Sequence, residues 1–131
     1  MEFTTALLWY GLISAVIVGF DIMFTYATKG FGYGFSSKRE GGARTGFGLR
    51  LQRSLQNQAE SAAYIIPALG AGALLGLEGQ GVGIAALFIV IGRALFAPAY
   101  WTGIPFLRVP FFAMASFGAF YIYAVALLQA M

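Results

Sequence analysis

Four long apolar stretches separated by short polar breaks take up nearly the whole of this 131-residue chain, and they leave few ways for it to fold. They cover residues 6–20 (extended past Asp21 by Ile22, Met23, Phe24 and Tyr26), 61–77, 82–101 and 111–128. As helices, such stretches match the roughly 30 Å of a bilayer's hydrocarbon core. Hydrophobic residues make up 60% of the chain and charged residues 10%, against about 25% charged in soluble domains, so too little polar surface exists to cover an aqueous fold. The expected architecture is an all-α integral membrane protein, a single domain over residues 1–131 with four transmembrane helices near 4–28, 47–77, 82–101 and 110–128.

Composition also narrows the chemistry. The absence of cysteine removes disulfides, thiolate metal sites and a protein-borne sulfur nucleophile, and the absence of histidine removes the usual general base near neutral pH. No metal site is expected, and any thiol must come from a ligand. The net charge of +3 does not point to nucleic acid, because the basic residues fall in one loop and at helix ends, without interleaved aromatics. The N-terminus runs into apolar sequence without a basic leader or cleavage site, and predicts a retained helix. With no Gly at position 2 and no cysteine to acylate, anchoring is expected by spanning.

Residues 29–48 read as a polar, conformationally free loop, with seven glycines around the segment Ser36, Ser37, Lys38, Arg39 and Glu40. Lys29, Lys38, Arg39 and Arg44 lie there and Arg108 lies in the third turn, whereas the opposite side carries no Lys or Arg. The excess predicts a cytoplasmic 29–48 loop and termini on the other face. Trp9 and Tyr10 suit an interfacial aromatic belt. Pro98 is expected to kink the end of the third helix, and Pro110 to occupy the first turn of the fourth. Gly72 with Gly76, and Gly79 with Gly83, have a spacing that permits close helix approach.

Charge inside the spans is the second constraint. Arg50, Arg53, Asn57, Glu60 and Tyr64 recur at steps of three or four, which sets them on one stripe of the second helix. Arg93, Ala97 and Tyr100 make a similar line on the third, and Asp21 is a lone acid in the first. An intramembrane charge costs at least about 2.5 kcal/mol, so each must find a partner, water or a ligand. One reading is internal pairing, with Glu60 and Asp21 as counter-ions of Arg53 and Arg93. The other is an anion site, because Arg50, Arg53, Arg93 and Arg108 outnumber those acids and guanidinium groups fork onto carboxylates. Arg108 has two readings as well, a lipid-facing anchor or an anion ligand at the start of the fourth helix. Tyr64, Tyr100, Tyr121 and Tyr123 read as packing or interface residues, Tyr100 having the most polar surroundings.

The run from Arg50 to Glu60 contains Arg53, Asn57 and Glu60 in the R-x-x-x-N-x-x-E pattern and resembles the second-helix signature of the MAPEG family, the membrane-associated proteins in eicosanoid and glutathione metabolism. Gly92, Arg93, Ala94, Leu95, Phe96, Ala97, Pro98, Ala99 and Tyr100, followed by Gly103 to Arg108, is similar to the third helix and turn of bacterial members. The resemblance implies a homotrimer with glutathione between subunits, open to the cytoplasmic side. By it, Arg50, Arg53, Asn57, Glu60, Arg93 and Tyr100 would bind glutathione and Arg108 would stabilise its thiolate. Ser61 and Phe96 stand where leukotriene-forming members carry tyrosines, which alters two hydroxyl contacts.

The function so implied is a glutathione-dependent transferase or peroxidase of a bacterial inner membrane, taking lipophilic electrophiles from the bilayer and forming no covalent enzyme intermediate. Two rivals stand beside it. One is a non-enzymatic module that binds lipid or an anionic metabolite, or scaffolds a partner; the other is a solute path through the centre of the trimer.

Overall fold

The computed structural model describes residues 1–35 and 44–131, which form α1 (Phe3–Phe35), α2 (Gly46–Leu74), α3 (Gln80–Trp101) and α4 (Val109–Ala130). The Ser36 to Glu40 segment, with Lys38 and Arg39, lies outside the described residues. Helices are what a bilayer demands, since they satisfy each backbone N–H and C=O within one segment. Three are long and apolar enough to cross a membrane, over Phe3–Tyr33, Gln80–Trp101 and Val109–Ala130. The fourth, α2, is more polar because Arg50, Arg53 and Glu60 lie along it, yet it packs against all three others as part of one bundle.

Two boundaries differ from those read in the sequence. α1 runs on to Phe35, with a break at Gly30 (φ 83°), where the glycine-rich sequence predicted a loop. Beyond the break, the Phe31 and Phe35 rings lie tilted against Tyr26, at ring separations of 5.1 and 5.4 Å, and this aromatic cluster outweighs the low helix propensity of the glycines. α2 stops at Leu74 rather than residue 77, because Gly76 turns left-handed (φ 60°) and the Leu77 N–H closes back on the Gly72 carbonyl at 3.0 Å.

The core is built from small and branched side chains, among them Ala6, Ile65, Ala68, Ala86, Ile89, Ala115, Ala119 and Ile122, each essentially inaccessible. Leu8, Leu12, Met23, Phe117, Leu127 and Leu128 point outward, as expected where lipid is the solvent. The tightest seam joins α3 to α4. A Cβ on Gly92 would lie 2.6 Å from the Phe111 carbonyl oxygen, and one on Gly118 would lie 2.7 Å from that of Ala85. These are the close helix approaches between spans. Of the pairs singled out by spacing, Gly76 and Gly79 shape the turn with positive φ, while Gly72 packs on the Phe3 ring and Gly83 on Met1.

Tyr10 is a further correction. It is 3% exposed rather than in an interfacial belt, and its hydroxyl donates to the Gln58 carbonyl (2.8 Å) and pairs with Ser61 Oγ (2.7 Å). A phenol is held there because α2 offers polar partners at that depth. Trp9 alone of the pair is open to lipid.

Candidate functional site

The polar residues of α2 fall on two faces. Leu51, Ser54, Gln58, Ser61 and Ile65 point into the bundle, whereas Arg53 and Glu60 point outward and Asn57 lies half-buried between them. The inward stripe is where α2 meets Arg93. That arginine is wholly buried, and its Nε and Nη2 both donate to Gln58 Oε1, at 2.9 and 2.8 Å. Gln58 Nε2 in turn donates to Ser14 Oγ (2.8 Å), which donates to the Tyr10 carbonyl (2.9 Å). One amide thus links α1, α2 and α3.

Of the two readings of these charges, the single chain does not make the internal pairing of Asp21 and Glu60 with Arg53 and Arg93. Asp21 bonds Arg44, whose second nitrogen reaches Thr25 Oγ1 at 3.0 Å, so it is counter-ion to neither Arg53 nor Arg93. Glu60 accepts from Gln56 Nε2 at 3.1 Å, one turn away on its own helix. The physical reason is reach. Glu60 is on the outward face, and Asp21, midway along α1, faces Arg44 just before α2, so the deep Arg93 is left to an amide. Arg53 makes no side-chain hydrogen bond or ion pair with the described residues.

The remaining predicted residues meet at the start of α4. Asn57, Phe96, Arg108, Val109 and Phe112 line a cavity of about 290 Å³. On the other side of Arg108, a second cavity of about 390 Å³ is lined by Arg50, Tyr100, Gly103, Phe106, Arg108 and Val109, among others. Both share Arg108 and Val109, so they adjoin at the start of α4, and together they make up the cleft, with one lobe on either side of Arg108.

Arg108 is the N-cap residue of α4, with Pro110 in the first turn, and its guanidinium lies over the Tyr100 ring at 4.3 Å. Stacking holds the group while leaving its N–H fork for a ligand. Arg50 is partly committed elsewhere. Its Nε donates to the Trp101 carbonyl (3.0 Å) at the end of α3, and the guanidinium packs against left-handed Gly103. Arg50 thereby fastens the turn that carries Arg108. Phe106 in that turn holds φ 66°, a conformation that costs a non-glycine residue about 1 kcal/mol or more. Ser54 Oγ accepts from Trp101 Nε1 at 2.7 Å and fixes the same corner.

Two buried polar atoms have no hydrogen-bond partner among the described residues, Asn57 Oδ1 and Arg93 Nη1. Asn57 lines the first lobe; Arg93 lies behind its wall, its guanidinium 4.5 Å from the centre of the Phe96 ring. The cleft is therefore lined by Asn57, whose buried Oδ1 lacks a partner, and by Arg50 and Arg108, which no acid among the described residues neutralises. Arg53 and Glu60 do not line it in the single chain. A larger cavity of about 540 Å³ opens at the other end of the bundle, beside Glu2 and Glu78, but no guanidinium reaches it.

Gln58, Ser14 and Ser54 were missed in reading the sequence for function. Their signal is the second stripe of α2, which places small polar residues among Leu51 and Ile65 at helical spacing.

Comparison with known proteins agrees with this architecture. The sequence model of the MAPEG family matches residues 5–128, nearly the full length. No curated protein matches the chain, and no solved structure does. On the extent of that match, and with four helices of the expected order and span, the chain belongs to the MAPEG family.

Proposed function

We propose that the protein is a glutathione-dependent transferase or peroxidase acting on lipophilic electrophiles drawn from the membrane. The observation that carries this reading is the pairing, in one cleft, of the unsatisfied Asn57 acceptor with the uncancelled charge of Arg108. A ligand that completes the cleft has to bring both negative charge and a hydrogen-bond donor. A γ-glutamyl tripeptide carries two carboxylates, an ammonium group and amide N–H groups. Phospholipid headgroups such as phosphoethanolamine and phosphoglycerol also combine negative charge with N–H or O–H donors, so glutathione binding itself is what separates this reading from the lipid-binding alternative.

Bound glutathione supplies the thiol, whose sulfur forms a bond to an electrophilic carbon as the leaving group departs; for a hydroperoxide, two thiols yield a disulfide, an alcohol and water. The protein's contribution is binding and charge. Arg108, stacked on Tyr100 at the N-terminus of α4, stabilises a thiolate against the thiol. A free thiol of pKa near 8.5 is only a few per cent ionised at pH 7, so each unit of depression gives up to about tenfold more nucleophile. Asn57 orients the peptide, and Arg50 keeps the turn in place.

The outward stripe of α2 supports a homotrimer as part of the same reading. Arg53 and Glu60 are exposed on one chain, and bare charge facing lipid costs a few kcal/mol, which neighbouring copies relieve by closing around the stripe. Subunit closure also brings Arg53 and Glu60 toward a ligand between chains. Lys29, Arg44, Arg50 and Arg108 gather at one end of the bundle and Glu2 and Glu78 at the other. By the positive-inside rule this supports a bacterial inner-membrane protein whose cleft opens to the cytoplasm and whose termini face the periplasm.

The test is Arg108→Ala, assayed as conjugation of a model electrophile together with thiolate absorbance of bound glutathione. The thiol pKa is expected to rise toward its free value, and the rate at neutral pH to fall about ten- to a hundredfold. An unchanged rate with an unchanged thiol pKa would remove Arg108 from the chemistry.

A further inference from the structure

The positive charge acting on the cleft exceeds what its lining carries. Arg93 is fully buried in the middle of a membrane helix, where an acid would be the usual partner, because a guanidinium deprived of water needs compensation. Its partner is an amide. Gln58 Oε1 receives two of its N–H groups, as a carboxylate oxygen can, but adds no negative charge. Neither Asp21 nor Glu60 reaches it, since Asp21 is held by Arg44, and Glu60, on the outward face, by Gln56. Nη1 has no hydrogen-bond partner among the described residues, and the guanidinium lies against the Phe96 ring, a wall of the Asn57 lobe.

We propose that Gln58 is a positioning residue that fixes Arg93 without cancelling its charge, so that Arg93 acts through the Phe96 wall and selects the anionic form of whatever the cleft binds. The choice of glutathione as a probe rests on the function proposed above; the electrostatic claim itself needs only an anion. A ligand atom resting on the cleft side of the Phe96 ring is about 8 Å from the guanidinium, the 4.5 Å to the ring centre plus one van der Waals contact. At an effective dielectric of about 20, unit charges at that distance change an affinity by at most about thirtyfold, and by about fivefold with partial screening.

Gln58→Glu tests this, because it keeps the acceptor geometry and neutralises Arg93. Calorimetry on detergent-purified protein compares glutathione with glutathione diethyl ester, whose carboxylates are blocked. The expected result for Gln58→Glu is a five- to thirtyfold weaker Kd for glutathione, no comparable change for the ester, and an unchanged or higher Tm. Arg93→Gln, which also removes the charge but keeps an amide pair, is expected to weaken glutathione in the same direction.

A purely structural role for Gln58 predicts equal effects on both ligands, or none, and either outcome overturns the proposal. Inorganic sulfate provides the arm that does not depend on glutathione. Wild type is expected to gain Tm with sulfate, and Gln58→Glu to lose most of that gain. If wild type ignored glutathione but kept the sulfate response, the proposed function would fail and this inference would stand. A wild type stabilised by neither anion contradicts it.

Discussion

Gly92→Val is expected to force α3 and α4 apart and to cost about 3 kcal/mol or more, read as a large fall in Tm or as loss of folded protein in detergent. The added Cβ would meet the Phe111 carbonyl oxygen at 2.6 Å and the Ala115 nitrogen at 2.9 Å. Both are backbone atoms, so no side chain can rotate out of the way, and the whole seam through Ala85, Ile89 and Gly118 must open. In a membrane the loss is not recovered by hydrophobic burial elsewhere, since close van der Waals packing is itself the attraction between helices. Gly11→Ala is the control: nothing lies within 4 Å of its added Cβ, and a small gain from helix propensity is expected. Equal losses in the two variants would contradict the assignment of the seam to Gly92.

Gln58→Leu is the second large effect. It removes both acceptor contacts to Arg93 and the link to Ser14, leaving a guanidinium in the protein interior with no acceptor. Hydrogen bonds to charged groups contribute about 1.5–3 kcal/mol each, and stranding a buried charge brings the expected cost to about 3 kcal/mol or more. The double variant Gln58→Leu with Arg93→Leu should recover most of that loss, because removing both partners leaves nothing unsatisfied. A thermal-unfolding double-mutant cycle checks this through the coupling energy. Additive losses would mean that the amide and the guanidinium do not depend on each other. Comparing Gln58→Leu with Gln58→Glu separates the two roles of this residue, since one variant loses the acceptor and the other keeps it.

The helices were legible because membrane helices announce themselves through length and apolarity, and the family through Arg53, Asn57 and Glu60 at fixed spacing. The ends of α1 and α2 were less so. Glycine content favours a loop at residues 29–35, but the pairing of Tyr26 with Phe31 and Phe35 is a contact that propensity does not count. Which charges pair within the chain was left open for a related reason. Sign alone offers Asp21 and Glu60 to the arginines as one of two readings, and only the fold shows Asp21 beside Arg44 and Glu60 turned away from Arg93. A neutral Gln58 carries no such flag, and only its position between Ser54 and Ser61 on the buried face marks it.

The candidate site divides in the same way. Asn57, Tyr100 and Arg108, chosen from sequence, converge on the cleft, and Arg50 reaches it while also clasping the end of α3. Arg53 and Glu60 remain on the outward face of one chain, where a site shared between subunits would use them. No spacing rule within a single sequence distinguishes a stripe that faces lipid from one that faces another copy.

The measurement that bears most directly on the central claim is isothermal calorimetry of glutathione on detergent-purified protein, with Arg53→Ala, Asn57→Ala and Glu60→Ala compared at matched folding and oligomeric state. Saturable binding by wild type, weakened in all three variants, is the predicted result and places the tripeptide at the α2 stripe and cleft. A well-folded wild type that takes up no glutathione would contradict the account.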